Sequence, residues 1–263
     1  MNVKLDECFQ FGLGAFETIG IEEGTPILLE KHLKRLSRAA DFLKLGDLNE
    51  RGITEEKIRE YLKEQTELKE IQEEFGNLTH CALKLMLTKE NAVFLLRANH
   101  YTPEKYEKGF CMDISSVKRN ETSPLVYHKT MNYGDCTLEK RNATAAGVDE
   151  RIFLNTKRQI AEGTVSNIFF VRKGVICTPE ISCGLLPGIL REYICETEEV
   201  EETDIYVQDL KWYQECFVTN SLMGIMPVRQ IGSVYFEEDK ITRELMAKYR
   251  NMIAETIRQR KSL

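Results

Sequence analysis

Strand-length and helix-length apolar patterns alternate along this chain from Phe16 to Gln259, and that interleaving constrains its fold more than any other feature. Phe16 to Leu29 reads as a hairpin: ETIGIE, a turn at Glu23-Gly24, then PILL. A helix follows, because Leu29, Leu33, Leu36, Ala40 and Leu43 recur at steps of four and three, with Gly46 as its stop. Thr54 caps a second helix whose first turn carries Glu55 and Glu56, near the positive end of the helix dipole. Its buried face takes Ile58, Tyr61, Leu62, Leu68, Ile71 and Phe75, and Gly76-Asn77 ends it. Two strands are predicted at Cys81–Thr88 and Ala92–Ala98, around a polar turn.

A polar, proline-bearing stretch at 99–109 then divides the chain, which places a boundary between residues 99 and 125. Beyond it, strands are predicted at Met112–Val117, Arg151–Asn155, Asn167–Val171, Val175–Thr178, Cys216–Asn220 and Ile225–Ile231. Helices are predicted at Tyr133–Ala146, Ile189–Glu196 and Ile241–Gln259. The expectation is an α/β (α+β) protein of two lobes, a small one over 1–110 and a larger mixed one over 111–263. A site in the cleft between lobes is the usual consequence.

Composition excludes several classes. Lys and Arg number 36 against 42 Asp and Glu, a net charge of −6, so there is no basic footprint for nucleic acid. No apolar run approaches the roughly 20 residues of a spanning helix, and MNVKLDECFQ has no signal-peptide core, so a cytoplasmic chain without membrane attachment is expected. The eight cysteines form no C-x-x-C pair, which favours free thiols over a disulfide framework. The four histidines lack zinc-ligand spacing, and no metal is expected.

The stretch from His128 to Arg191 carries the chemistry. It holds Lys129 in HKTMNY, then Glu162-x-Thr164-x-x-Asn167-Ile168-Phe169, Ile176-x-Thr178 and Leu186-x-Gly188-Ile189-x-Arg191. This pattern resembles the class IV aminotransferases, the fold-type IV enzymes of pyridoxal 5'-phosphate. The likeness extends from FGLGAFET to MGIMPVRQI. The resemblance implies a two-lobed homodimeric enzyme acting on a small amino substrate. Lys129 would hold the cofactor as an imine and carry protons, work that needs an amine of lowered proton affinity. Glu162 would face the pyridine nitrogen. Gly188, Ile189 and Leu190, at a helix start suited to an anion, would cradle the phosphate together with Arg35 and Ser221. Tyr133 would reach the phenolic oxygen. Asn167 would fix the turn or the ring environment.

Within that family KTMNY lacks the glycine pair of branched-chain aminotransferases, and FVTNSLMGIMPV is similar to the aminodeoxychorismate lyases, with Asn220 near substrate. The expected reaction is release of 4-aminobenzoate and pyruvate from aminodeoxychorismate. An aminotransferase of D-amino or branched-chain amino acids is the alternative. Retention of Lys129 and Glu162 argues against a noncatalytic binding protein. His100, Arg97 and Lys89 are candidates for the substrate carboxylate by position alone.

Overall fold

The computed structural model describes residues 3–76 and 78–261. Its elements form two compact units. The first gathers the chain through His100, the segment His128–Asn132 and the stretch from Arg250 onward. The second holds Tyr101–Tyr127 and Tyr133–Tyr249.

The first unit contains α1 (Glu7–Phe11), β1 (Ala15–Glu22), β2 (Thr25–Pro26), α2 (Leu29–Leu43), α3 (Glu55–Glu67), α4 (Lys69–Phe75), β3 (His80–Leu87) and β4 (Ala92–Ala98). The strands make one antiparallel sheet in the order β2-β1-β3-β4. Alternation along each strand separates its two faces. Ala15, Ile19 and Ile21 of β1 join Leu83, Leu85 and Leu87 of β3 in a core with Leu36 and Ala40 of α2 and Ile58 and Leu62 of α3. Phe16, Thr18, Lys84, Met86 and Arg97 belong to the other face, by the pairings Phe16↔Met86, Thr18↔Lys84 and Ala82↔Arg97.

Two helices occupy the stretch read as one. Leu68 is extended and half exposed rather than on the buried face. At 3.6 residues per turn, Ile71 in an unbroken helix would sit about 220° around from Ile58. The break at Leu68 re-aims the chain so that Ile71 and Phe75 pack on the same core. Thr54 caps α3 as expected, accepting from the Lys57 N–H. Of the expected stop, Gly76 ends α4, and Asn77 lies outside the described residues.

The segment His128–Asn132, placed by sequence in the C-terminal lobe, packs with the first unit. The reason is an open strand edge. β2 pairs only with Ile21 and Glu22, so the start of β1 has room for another chain segment. Ala15 bridges Thr130 there, Phe16 N–H donates to the Lys129 carbonyl at 3.0 Å, and Met131 N–H to the Gly14 carbonyl at 2.7 Å.

The second unit contains α5 (Pro103–Lys108), β5 (Phe110–Arg119), α6 (Gly134–Ala145), β6 (Glu150–Asn155), β7 (Ile160–Gly163), β8 (Asn167–Arg172), β9 (Val175–Pro179), α7 (Ile189–Thr197), β10 (Val200–Thr203), β11 (Glu215–Asn220), β12 (Gly224–Ile231) and β13 (Val234–Tyr235). The last helix, α8, spans Lys240–Lys261. The sheet order is β10-β9-β8-β11-β12-β5-β6-β7, with β13 beside β12. It is mixed: β12 with β5, β5 with β6, and β9 with β10 run parallel. Strands β7, β10 and β13 and helices α1 and α5 are not among the predicted elements, being short or inside the motif. All eight cysteines are free, five of them buried. No helix among the described residues is long and apolar enough to cross a membrane.

Candidate active site

In the first unit Lys129 follows a short 3-10 turn at Pro124–Tyr127 and is held by the backbone bonds to β1. Its Nζ lies 4.6 Å from the centre of the Phe16 ring. Lys84 Nζ lies 3.3 Å from the same centre. Burial pushes the Lys84 ammonium down to about 7, and the charges of Lys129 and Arg97 push the same way. Sequence reading missed Lys84. The available signal was its position in HCALKLML, where a charged residue alternates with core leucines and so must face away from them.

Arg35 is buried on the core face of α2 rather than solvated. Its Nε and Nη2 donate to the two oxygens of Glu17 at 2.7 Å each, and His32 Nδ1 shares Glu17 Oε2 at 2.7 Å. Burial alone would raise the Glu17 pKa, but Arg35 and His32 hold it far below the usual carboxylate range. His32 is pushed below its ordinary value by burial, which Glu17 only partly opposes. Of the positional candidates, Arg97 shares the Lys84 face diagonally across β3 and β4, whereas Lys89 and His100 are exposed beyond the strand ends.

In the second unit three adjacent strands build a carboxylate site. Glu162 stands on β7 opposite Phe153 of β6, and Arg119 ends β5. The Arg119 guanidinium lies over the Phe153 ring at 4.7 Å and reaches Glu162 Oε1 from Nε at 2.9 Å and from Nη2 at 2.7 Å. Glu162 Oε2 accepts the Leu186 N–H at 3.0 Å. The same residue's carbonyl accepts from Asn167 Nδ2 at 2.9 Å. Leu186 is thus clamped at both its polar backbone groups, which spaces the Glu162 carboxylate from the start of α7 two residues on.

That start is Gly188, with no side-chain cap bond. The N–H groups of Ile189 and Leu190 are first-turn donors, which no carbonyl within the helix can satisfy. A Cβ on Gly188 would fall 1.9 Å from Asn167 Oδ1, so only glycine lets the helix begin beside this asparagine. Glu150 backs the loop between β7 and β8. Its Oε1 accepts from Val165 N–H and Ser166 Oγ, both at 2.8 Å, and its crowding against Gly163 excludes any side chain there.

Tyr133 precedes α6 and its hydroxyl points to the Thr164 carbonyl at 3.4 Å. Burial keeps that phenol well above its ordinary pKa, so it remains neutral. Asn220 ends β11. Its Oδ1 accepts the Leu222 and Met223 N–H groups at 2.9 and 2.8 Å, and its Nδ2 lies 3.4 Å from the Tyr101 hydroxyl. Ser221 follows in the turn between β11 and β12, half exposed. The second unit therefore gathers Glu162, Asn167 and Gly188, and holds Tyr133 beside the same β7–β8 loop. The first unit carries Arg35 and Lys129. Arg119 and Glu150 were missed by sequence reading, because a single Arg or Glu in a strand carries no spacing signal.

The sequence model of the amino-transferase class IV family matches residues 14–231, which contain the whole of this constellation. The chain belongs to that family, whose members are pyridoxal-phosphate-dependent aminotransferases and lyases. The aminodeoxychorismate lyase of Bacillus subtilis (strain 168) is 27% identical to it over 272 residues, 97% of this chain and 90% of that protein. A putative branched-chain-amino-acid aminotransferase of Methanocaldococcus jannaschii is 29% identical over 271 residues, 94% of this chain and 89% of its own. A solved structure, titled as a putative 4-amino-4-deoxychorismate lyase of Legionella pneumophila, matches with a TM-score of 0.80 at 24% identity, covering 95% of each chain. The architecture is that of the fold-type IV enzymes.

Proposed function

We propose that this enzyme is a pyridoxal-phosphate-dependent 4-amino-4-deoxychorismate lyase, forming 4-aminobenzoate and pyruvate. The observation that carries the reading is the cationic face of the first sheet. In a chain of net charge −6, Lys84 and Arg97 share a face and Lys129 lies over the Phe16 ring of that face. A substrate with two carboxylates suits such a face, since each ion pair formed in a half-buried setting gains more than one in open water. The Bacillus subtilis lyase among the relatives supports the same reading. An aminotransferase of D-amino or branched-chain amino acids is the second reading, favoured by the apolar Phe16 and Met86 on that face and by the Methanocaldococcus jannaschii relative.

The residues fit the cofactor. Gly188 leaves room that a Cβ would fill, and the uncapped first turn of α7 offers N–H donors to a phosphate dianion. Ile189 and Leu190 would bind that phosphate by their backbone, with Ser221 and Arg35 as further donors. Arg119 keeps Glu162 ionised, as a carboxylate must be to hold a protonated ring nitrogen. The neutral Tyr133 hydroxyl is a donor for a phenolic oxygen, and Asn167 fixes the helix start. When bound, pyridoxal phosphate supplies the electron sink for the charge left at the carbon beside the substrate amine. Lys129 takes the proton from that carbon and returns one to the departing three-carbon group, which leaves as pyruvate. Asn220, held rigid by its two backbone donors, would orient the substrate ring.

The deciding experiment offers the enzyme aminodeoxychorismate with no keto-acid acceptor. Release of 4-aminobenzoate is expected, in equal amount with pyruvate. Activity that strictly requires a keto acid would replace the lyase reading with the second one.

Gly188→Ala tests the phosphate cradle. The added methyl collides with Asn167 Oδ1, which Leu186 holds in place, so the helix start must shift. Loss of one or two aligned donors to a dianion weakens cofactor retention by about tenfold or more. Equilibrium dialysis against pyridoxal phosphate measures it, and an unchanged affinity would remove α7 from the site.

A further inference from the structure

Among the described residues, the buried side-chain atoms without a hydrogen-bond partner are Glu150 Oε2, Arg151 Nε, Arg191 Nε and Thr219 Oγ1. The first three belong to groups bonded through another atom, Glu150 through Oε1, Arg151 through Nη1 and Arg191 through Nη2. Thr219 has a single polar side-chain atom, so its whole hydrogen-bonding capacity is unused, in a residue 1% exposed. Other buried hydroxyls of this unit are engaged. Thr178 Oγ1 donates to the Ile168 carbonyl at 2.8 Å, Ser115 Oγ to Glu139 at 2.6 Å and Thr242 Oγ1 to Glu215 at 2.7 Å. A hydroxyl taken out of water without a replacement bond destabilises the fold, and valine would fill the same space with no such penalty.

The hydroxyl lies beside the start of α7. β11 is an interior strand between β8 and β12, and Thr219 stands directly opposite Asn167 of β8. Opposed residues share a face of the sheet, with Cβ atoms about 5 Å apart. Phe217 and Phe169, the next opposed pair on that face, stack at 4.9 Å. Ile168, Phe170, Cys216 and Val218 alternate to the other face and belong to the apolar core. Asn167 meets the start of α7 on the Thr219 face. Its Nδ2 binds the Leu186 carbonyl, and its Oδ1 takes the space that a Cβ on Gly188 would need. On the strand side, then, Thr219 is next to the first turn of α7, whose N–H groups at Ile189 and Leu190 have no acceptor within the helix. Anions are bound by such helix starts, and hydroxyls complete the set of donors.

We propose that Thr219 is a cofactor-binding residue, its hydroxyl donating to the phosphate group held at the start of α7. The inference rests on the reading of that helix start as the phosphate cradle. It adds a donor from the sheet to the backbone donors of the helix. Ser221, two residues on, is half exposed, so water can replace its hydroxyl. At Thr219 burial leaves no room for that exchange, and a bond to a dianion in such a setting is among the stronger ones.

The test titrates cofactor-free protein by equilibrium dialysis, with pyridoxal phosphate and in parallel with pyridoxal, which lacks the phosphate. In Thr219→Val the affinity for pyridoxal phosphate is expected to fall on the order of tenfold, whereas that for pyridoxal stays as in the native protein. The cofactor-free variant should unfold at or above the native Tm, because an unpaired buried hydroxyl has been removed. Thr219→Ser gives the reverse pattern. It keeps the hydroxyl and binds pyridoxal phosphate within about threefold of native, but loses a buried methyl and unfolds earlier. Native affinity for pyridoxal phosphate in Thr219→Val overturns the proposal, and so does an equal loss for pyridoxal. Should Thr219→Val fail to fold, Thr219→Ala carries the same comparison of the two ligands. The expected contrast in a protein that releases no 4-aminobenzoate upholds this donor and overturns the lyase reading, so the two failures are distinct. A native protein that does not bind pyridoxal phosphate overturns both.

Discussion

Lys129→Ala protein is expected to fold as the native chain does and to have no measurable turnover. The fold is expected to tolerate the change because the backbone of this residue, whose carbonyl accepts the Phe16 N–H, ties its segment to β1 in the variant as in the native chain. Its side chain is half-buried over one ring, and removing it alters stability by about 1 kcal/mol or less. The chemistry is sensitive because no neighbouring amine has the same setting. Lys84 is nearest along the ring, but it rises from β3, on the far side of Phe16 in the strand register. In the proposed role this amine both bonds the cofactor and carries the proton, and its removal is then expected to cost on the order of 10⁴-fold or more in kcat. Steady-state assay gives the loss, and thermal unfolding gives the control. Mass spectrometry after borohydride treatment completes the test: native protein carries a pyridoxyl group on Lys129 and the variant carries none. Covalent retention by the variant would assign the reactive amine elsewhere, with Lys84 the first place to look.

The largest effect on stability is expected at Glu17. This carboxylate is fully buried and is the shared acceptor for Arg35, which is 6% exposed, and His32, which is 1% exposed. Glu17→Ala strands a buried guanidinium without its counter-ion, a change that costs about 3–5 kcal/mol. For a chain of this size that is a fall in Tm on the order of 10 °C. Glu17→Gln preserves shape and some hydrogen bonding, so its loss is smaller. The pH dependence has a defined sign. The folded carboxyl titrates below its ordinary value of 4.5, so its contribution is complete above that pH and fades as acid approaches the depressed folded value. His32 also titrates below its ordinary 6.5, so acidification below 6.5 favours the unfolded chain, which binds that proton more readily. Stability of the native protein should therefore fall with acid in two stages, and Glu17→Gln should lack the lower one. Unfolding curves between neutral pH and pH 3 check this. Identical acid limbs for native and Glu17→Gln protein would remove Glu17 from the account.

Much of the architecture is legible in the sequence where one periodicity persists. The steps of α2 and the alternation of β1 and β3 specify an element and its inner face, and the short apolar runs of β8, β11 and β12 specify strands buried on both sides. The motif likewise identifies Glu162, Asn167 and Gly188, and the structure adds what links them, the two-sided clamp on Leu186. Three things escape a one-dimensional reading for physical reasons. Leu68 is apolar and helix-compatible, so nothing local marks it as the point where the axis must turn to bring Ile71 inward. Arg119 becomes meaningful only when β5, β6 and β7 lie side by side and its guanidinium crosses Phe153 to Glu162. Lys129 joins the first unit through an edge that is open solely because β2 is two residues long. Pairing partners across a sheet, unlike faces along a strand, are not written in the spacing of either segment.

The short β2 also has a consequence for timing. Asn132 bonds the Gly12 carbonyl across 120 residues, in the same stretch that seats Lys129 on β1. A ribosome releases β1 through β4 well before that stretch emerges, and closing so large a loop is slow compared with forming local hairpins. The sheet can therefore assemble first and receive the lysine afterwards, with the last turns of α8 joining the same unit later still. A nascent chain holds Lys129 as a solvated amine, and its seat on β1 arises only after the sheet that receives it has been made.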